Sequence, residues 1–523
     1  MHPFRPSPPA VRGPARRLRA LAAGTAAVAV AVLLASCGLV APQHSGSTTS
    51  AGPDVLSSAP AGLKDFYAQS ITWSSCEKSF ECAKVKVPVD YANPAKASIE
   101  LAAIRLPASG HRQGSVLVNP GGPGGSGYNM VRDGAKSYFS DKLRGAFDIV
   151  GWDPRGVQRS APVTCISDAD RDKERQQDLN LDTDAGYTQA QAQYAADARQ
   201  CQANTGPILG FVDTVSSAKD MDILRAVLNE KQLNYMGFSY GTKLGATYAG
   251  LFPKNVGKFS LDGALDPSLS VAQVAAGQNM GFDRAFQSWA AKCSQDAKCP
   301  VHGSAGDVVA QVDKLRDSYV NNPQRARDGR VVTSSEFTNT LAFAMYSTDL
   351  WDPLEAALGQ AFSGDPSGML ALADYSADRD KNGNYTTNTA FAFQAVNCLD
   401  YPTTQDKAAM RAEAATLEAA SPTFGSIFGY SDLSCYGWPY KAVEAPQAIH
   451  ADGAAPILVV GTTRDPATPY EWAQALRRQL SSGVLITWNG DGHTAYGRSN
   501  SCITNAVDGY FVDGKVPADN TTC

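Results

Sequence analysis

Gly237-Phe238-Ser239-Tyr240-Gly241 is the stretch on which the reading of this chain turns. Before it stands the apolar run Leu233-Asn234-Tyr235-Met236-Gly237. After it, residues 242–251 have the composition of a helix. G-x-S-x-G between a strand and a helix predicts a turn so tight that side chains at either flank would strike the neighbouring strand or helix. The serine is then left exposed at the sheet's edge as a nucleophile. Without that context the pattern would be a chance match in a Gly- and Ser-containing chain.

Outward from Ser239, further short apolar runs end in small or turn residues, at 115–119, 147–152 and 258–261. Helix-like patterns separate most of them, as at 217–230, where Met221, Leu224, Val227 and Leu228 fall on one face. Residues 83–106 read as a hairpin around Asn93-Pro94. Alternation of strand and helix predicts an α/β fold with a parallel sheet covered on both faces. From 267 to 449 the strand pattern nearly vanishes and amphipathic helices dominate, for example at 272–293 and 407–420; strands resume at 456–461 and 484–488. The expectation is a core at 61–266 and 450–523, split by a mostly helical cap inserted at 267–449.

A serine hydroxyl needs a base, and the chain has six histidines. His493, in Gly490-Asp491-Gly492-His493-Thr494 directly after the last core strand, stands where a base is required. The acid that fixes its tautomer is expected at Asp465, after the strand at 456–461. Asp491, two residues from His493, is badly placed to reach the far ring nitrogen and suits loop capping better. Asn119-Pro120-Gly121-Gly122-Pro123-Gly124-Gly125 follows an early core strand and offers backbone N–H groups to a developing oxyanion. Pro123 has no N–H, so Gly122 is the expected donor, paired with the N–H of Tyr240. A phosphate-binding glycine loop is excluded by the lack of a following Lys-Ser/Thr. The order Ser239, Asp465, His493 is that of the α/β-hydrolases.

Several motifs in order resemble the tripeptidyl aminopeptidase family and its proline-iminopeptidase-like relatives. Asn119 to Gly127 is similar to a His-Gly-Gly-Pro-Gly segment, with Pro120 in place of the histidine. Trp152-Asp153-Pro154-Arg155-Gly156 with Ser160 resembles an Asp-x-Arg-Gly-x-x-x-Ser loop. Gly461 to Pro469, Gly490 to Gly497 and Cys435-Tyr436-Gly437-Trp438-Pro439 resemble the C-terminal signature. The resemblance spans roughly 61–523. It implies an exported bacterial α/β-hydrolase, in some members an envelope lipoprotein with protease or esterase activity, that releases short peptides from N-termini. A carboxylesterase or lipase is the alternative. A catalytically dead binding lipoprotein is disfavoured by the intact Ser, Asp, His and glycine loop.

An exopeptidase must also read a free α-amino group, which is cationic or nearly so at neutral pH. Asp400, in Asn397-Cys398-Leu399-Asp400-Tyr401 at the end of a cap helix, is the expected reader of that ammonium.

Residues 1–36 read as a signal peptide: Arg12, Arg16, Arg17 and Arg19, then an apolar run at 21–34. The run ends in Leu34-Ala35-Ser36-Cys37, which resembles a lipobox with Cys37 as the lipidated residue. Membrane contact through that anchor, at the outer face of the cytoplasmic membrane, is the expected localisation, with an ordinary cleaved signal and secretion as the rival. Arg16-Arg17 leaves the Sec and twin-arginine routes both open. Residues 37–60 are expected to be anchor and flexible tether. Eleven cysteines leave ten once Cys37 is set aside, an even number that predicts five disulfides in an exported chain; the count does not fix the connectivity, and pairing of sequence neighbours is the simplest arrangement: 76–82, 165–201, 293–299, 398–435 and 502–523. No C-x-x-C spacing supports metal binding, and the reading calls for no cofactor. Asp378-Arg379-Asp380-Lys381-Asn382-Gly383 opens like a calcium loop but has Thr389 at the twelfth position, so a polar turn is expected. With a net charge of −5 and 43% hydrophobic residues, the chain has the composition of a folded protein and no footprint for nucleic acid.

Overall fold

A computed structural model describes residues 47–320 and 322–523. The signal segment and Cys37 lie outside the described residues, so the anchor expected there has no structural counterpart below. Among the described residues no helix is long and apolar enough to cross a membrane.

Eight strands carry the central sheet: β1 (Phe80–Pro88), β2 (Ser98–Leu106), β3 (Gly114–Asn119), β4 (Phe147–Trp152), β5 (Leu233–Phe238), β6 (Val256–Asp262), β7 (Ile457–Arg464) and β8 (Gly483–Asp491). Their order across the sheet is β8-β7-β6-β5-β3-β4-β2-β1. The short strands Thr521–Thr522 and Ser74–Cys76 lie at the two edges. β3 to β8 run parallel, with Val118 opposite Met236, Met236 opposite Ser260, and Val459 opposite both Leu261 and Leu485. β1 and β2 form the antiparallel hairpin anticipated around Asn93-Pro94. All six residues of both β3 and β4 are buried, as expected of strands covered on two faces. The chain leaves β3 for β4 on one side and returns to β5 on the other. The strand order therefore reverses beside β3, and the crevice at such a point is where open α/β sheets bind ligands.

Arg155, from the Trp152 to Gly156 motif, is fully buried in a two-bond pair with Asp220 (2.6 and 2.7 Å). Ser160 of the same motif accepts the N–H of Ala102 at 2.9 Å. These residues bind the loop after β4 to the sheet and to the helix Thr214–Val227.

Between β6 and β7 the regular elements among the described residues are helices, apart from the two-residue strands Gln324–Arg325 and Val331–Val332. The long helix Val271–Cys293 begins in a capping box at Ser270 and Gln273. Phe282, Phe286 and Trp289 from it pack with Phe337, Phe424 and Phe428 in a core separate from that of the sheet. All five neighbour disulfides are formed.

The architecture departs from expectation in two places. Residues 47–60 are not a tether: Thr48–Thr49 pairs with Ile71–Thr72, Gly52 donates to Asn229 (2.8 Å) and Val55 is buried. Backbone pairing, the buried Val55 and the partly buried Ala51, Leu56 and Ala59 packed against the core hold this segment, which takes only a few small or medium apolar side chains. The first core segment, 61–266, also hides a second excursion. The helices Asp168–Arg175 and Asp184–Thr205 leave the sheet and join the cap, through Arg175 to Asp374 (3.1 Å) and Glu336, Asp178 to Ser334 and Ser335 (2.7 and 2.8 Å), and Asp182 to Tyr430 (2.7 Å).

Candidate active site

β5 ends in a turn at Ser239, whose backbone lies at φ 57°, ψ −127°. That is a sparsely populated region for a residue with a side chain and costs on the order of 1–3 kcal/mol. The flanking glycines make the turn possible. A Cβ on Gly237 would stand 2.3 Å from the Gly241 carbonyl oxygen, and one on Gly241 would stand 2.8 Å from that of Asn119. Ser239 caps the helix Tyr240–Leu251 by position, but its side chain makes no capping bond, which leaves the hydroxyl at the positive end of the helix.

The glycine loop lies directly on this turn. A Cβ on Gly121 (φ +92°) would meet the Phe238 carbonyl oxygen at 2.4 Å and both Ser239 Cβ and the Tyr240 nitrogen at 2.9 Å. The Gly121 N–H is given to the Asn119 side chain (2.9 Å), so Gly122 carries the next amide of the loop. Gly121 was not singled out from the sequence, where all the glycines of the loop look alike; only contact with the turn distinguishes it.

At the ends of β7 and β8, Asp465 and His493 are brought together. Nδ1 of His493 stands 2.8 and 3.0 Å from the two carboxylate oxygens. Asp465 also accepts the N–H groups of Ala467 (3.0 Å), Thr468 (2.8 Å) and Thr494 (3.1 Å). With Nδ1 donating to the carboxylate, Nε2 keeps its lone pair, and that atom is buried with no hydrogen-bond partner. The backbone N–H of His493 goes to the Tyr346 carbonyl of the cap (2.9 Å), and the Tyr346 ring stands edge-on to the imidazole at 5.3 Å. Asp491, the rival acid, forms a two-bond pair with Arg464 (2.7 and 2.9 Å) and accepts from Ser288 of the cap (2.6 Å); it ties β7, β8 and the cap together.

Asp400 does not stand ready for a substrate ammonium, which corrects the expectation. Its carboxylate accepts the Thr214 N–H (2.9 Å) and hydroxyl and pairs with Lys243 (2.9 Å); it is 8% exposed. The rigidity foreseen from the Cys398–Cys435 bridge is present, but the acid is already neutralised at the start of the Thr214–Val227 helix. Asp380 of the calcium-like segment folds back on its own exposed turn and accepts the N–H groups of Asn382 (2.8 Å) and Asn384 (2.9 Å).

A cavity of about 380 Å³ lies between the 165–197 excursion and the cap. Arg171, Glu174, Asp197, Glu336, Tyr346 and Phe391 are among its walls. It adjoins the site at two points. Tyr346 is the residue against His493, and Phe391 belongs to the helix Thr389–Asp400, on whose Thr389 carbonyl a Cβ at Gly124 would close to 2.8 Å. Burial, followed by the charge of Asp197, pushes the Glu174 carboxyl up to about 7.

A strained serine at the turn after β5, a glycine loop upon it and an Asp–His pair at the ends of β7 and β8 define an α/β-hydrolase of the serine type. A family model described as TAP-like protein matches residues 421–523. The chain is 34% identical over 476 residues to serine protease Hip1 of Mycobacterium tuberculosis, covering 87% of this chain and 91% of that one. It is 36% identical over 515 residues to carboxylesterase B of the same organism (95% and 98% covered). With tripeptidyl aminopeptidase of Streptomyces lividans it shares 32% over 473 residues (87% and 86% covered). The chain belongs to the tripeptidyl aminopeptidase family and is a serine peptidase of the α/β-hydrolase type.

Proposed function

We propose that the protein releases short peptides from free N-termini through an acyl-enzyme on Ser239. His493 Nε2 takes the hydroxyl proton as Ser239 attacks the scissile carbonyl, and Asp465 stabilises the imidazolium. The Gly122 and Tyr240 N–H groups receive the oxyanion. The imidazolium then protonates the leaving amine, and water, activated by the same histidine, frees the peptide. The observation that carries this reading is the Asp465–His493 pair with Nε2 left unbonded, two strands from the Ser239 turn. The cavity beside Tyr346 is in the size range of sites that enclose small ligands, ~300–1,000 Å³, and suits a short peptide. In place of Asp400, we assign the reading of the ammonium to Glu174 with Asp197. The test is mass-spectrometric profiling of a peptide mixture: short products cut from free N-termini support the reading, whereas internal cuts, or turnover of esters alone, overturn it.

The identity to a protein named carboxylesterase B favours ester hydrolysis as the second reading, since the same acyl chemistry serves both. We further propose that lipidated Cys37 anchors the protein at the outer face of the cytoplasmic membrane, a reading supported by the Leu34-Ala35-Ser36-Cys37 boundary. Cys37→Ser should move it to the medium or leave it unprocessed; palmitate labelling that persists in this variant would contradict the anchor.

A further inference from the structure

Asp262 is a buried ionisable side chain to which the acyl-transfer steps assign no task. It closes β6, between the nucleophile strand and the acid strand, and is fully buried. Its carbonyl oxygen accepts the N–H of Ser239 at 2.9 Å. Its carboxylate accepts the Ala495 N–H through both oxygens (2.9 and 3.1 Å) and the Tyr496 N–H at 2.7 Å. The next residue, Gly263, gives its N–H to the Val460 carbonyl of β7 (3.1 Å), and a Cβ there would stand 3.2 Å from His493 Cε1. Together with the Thr494 N–H on Asp465, three successive amides after His493 are held by two carboxylates.

A carboxylate is a costly choice here. Burial pushes this carboxyl up to about 6; the Tyr496 and Ala495 amides pull it down, Asp465 opposes ionisation and His493 favours it. Asparagine has nearly the same shape but a single acceptor oxygen, and its NH₂ group would face a backbone N–H. The carboxylate offers both oxygens to the two amides, and its charge strengthens each bond, while the backbone carbonyl of the same residue holds the nucleophile turn.

We infer that Asp262 is a positioning residue, which sets the offset between the Ser239 turn and the His493 loop so that Nε2 meets the hydroxyl. The inference rests on the reading of Ser239 as nucleophile. It is tested on the full-length protein with Asp262→Asn, which removes the charge and one acceptor oxygen, and Asp262→Glu, which keeps the charge but displaces it. Both are read by fluorophosphonate labelling rate, by kcat and KM on a peptide p-nitroanilide, and by thermal melting. The expected result is a fall of about 10- to 100-fold in kcat and in labelling rate, with KM within about twofold and the folded fraction unchanged. Wild-type rates in both variants overturn the inference. So does a loss that follows the folded fraction, or failure of both variants to fold, since Asp262 would then serve the fold alone. If the wild type resists the probe, or Ser239→Ala stays active, it is the nucleophile reading that fails.

Discussion

The carboxyl edge of the sheet and the cavity beneath the cap treat buried charge in opposite ways. At the edge, Asp465 is bonded from four sides and Asp262 from two amides, and the one polar atom of the Asp–His pair left unbonded is Nε2. Against the cavity some charges cancel: Arg175 of the wall pairs with Glu336 and Asp374, and behind it Arg330 pairs with Asp374 and Arg379 with Asp172. Glu174 and Asp197 are neighbouring acids of the wall with no ion pair among the described residues, and Arg171, which lies over the Tyr385 and Phe391 rings, is a wall cation likewise without one. The edge is preorganised for a reaction, where fixed dipoles cost nothing to reorient. The wall holds two unpaired acids against one unpaired arginine, a surplus of negative charge that suits it to a cation arriving with the substrate.

The comparison breaks most sharply at Ser239. Ser239→Ala should lower kcat/KM by roughly 10⁴-fold or more with folding retained, because binding and the oxyanion donors are all that remain. Asp465→Asn should cost a comparable factor by favouring the wrong tautomer of His493. Steady-state kinetics on a peptide p-nitroanilide decide; activity of Ser239→Ala within tenfold of wild type would remove the edge from the chemistry.

Asp400 sharpens the comparison from the other side. It is an acid at the end of a cap helix, yet it behaves like the cancelled charges of the wall. Asp400→Asn should leave Lys243 buried beside a neutral amide, and breaking such a pair costs about 3–5 kcal/mol. The expected outcome is a lower melting temperature with peptide and ester turnover reduced alike. A selective rise in KM for free-amine peptides, at unchanged stability, would restore it as the substrate's partner.

The residues that were legible in the sequence share one property: their place follows from local chemistry. Ser239 sits between two glycines that the turn demands, Asp465 and His493 follow apolar runs at strand ends, and the bridged cysteines are neighbours in the chain. What was hidden depends on distant partners. Thr214 and Lys243 neutralise Asp400 from 186 and 157 residues away. Asp262 reads as the polar end of a strand until the 495–496 amides, more than 230 residues on, are seen to converge on it. The helix Asp184–Thr205 buries only Tyr187, Ala190, Ala198 and Cys201, too thin a stripe to betray that it builds a cavity wall with the cap.

Glu174 carries the smallest expected effect and the most specific one. Its carboxyl stands at about 7, raised by burial and by Asp197 and Asp170, with a bond from Gln193 and the charge of Arg171 opposing the rise. Below that value it is protonated and neutral; above it, it is an anion. The substrate ammonium stays charged up to its own pKa of roughly 7.7–8. KM for a free-amine peptide should therefore fall as pH rises through about 7 and climb again once the amine loses its proton. Glu174→Gln removes the titrating group, so the first limb should flatten and KM above pH 7 should rise by about tenfold, the value of a charge-assisted bond in a partly open site. An N-acetylated peptide or a small neutral ester has no ammonium, and its KM should not respond to the substitution. If the free-amine peptide keeps its KM and its acid limb in Glu174→Gln, the wall does not read the amine, and the uncancelled charge beneath the cap belongs to the fold rather than to the substrate.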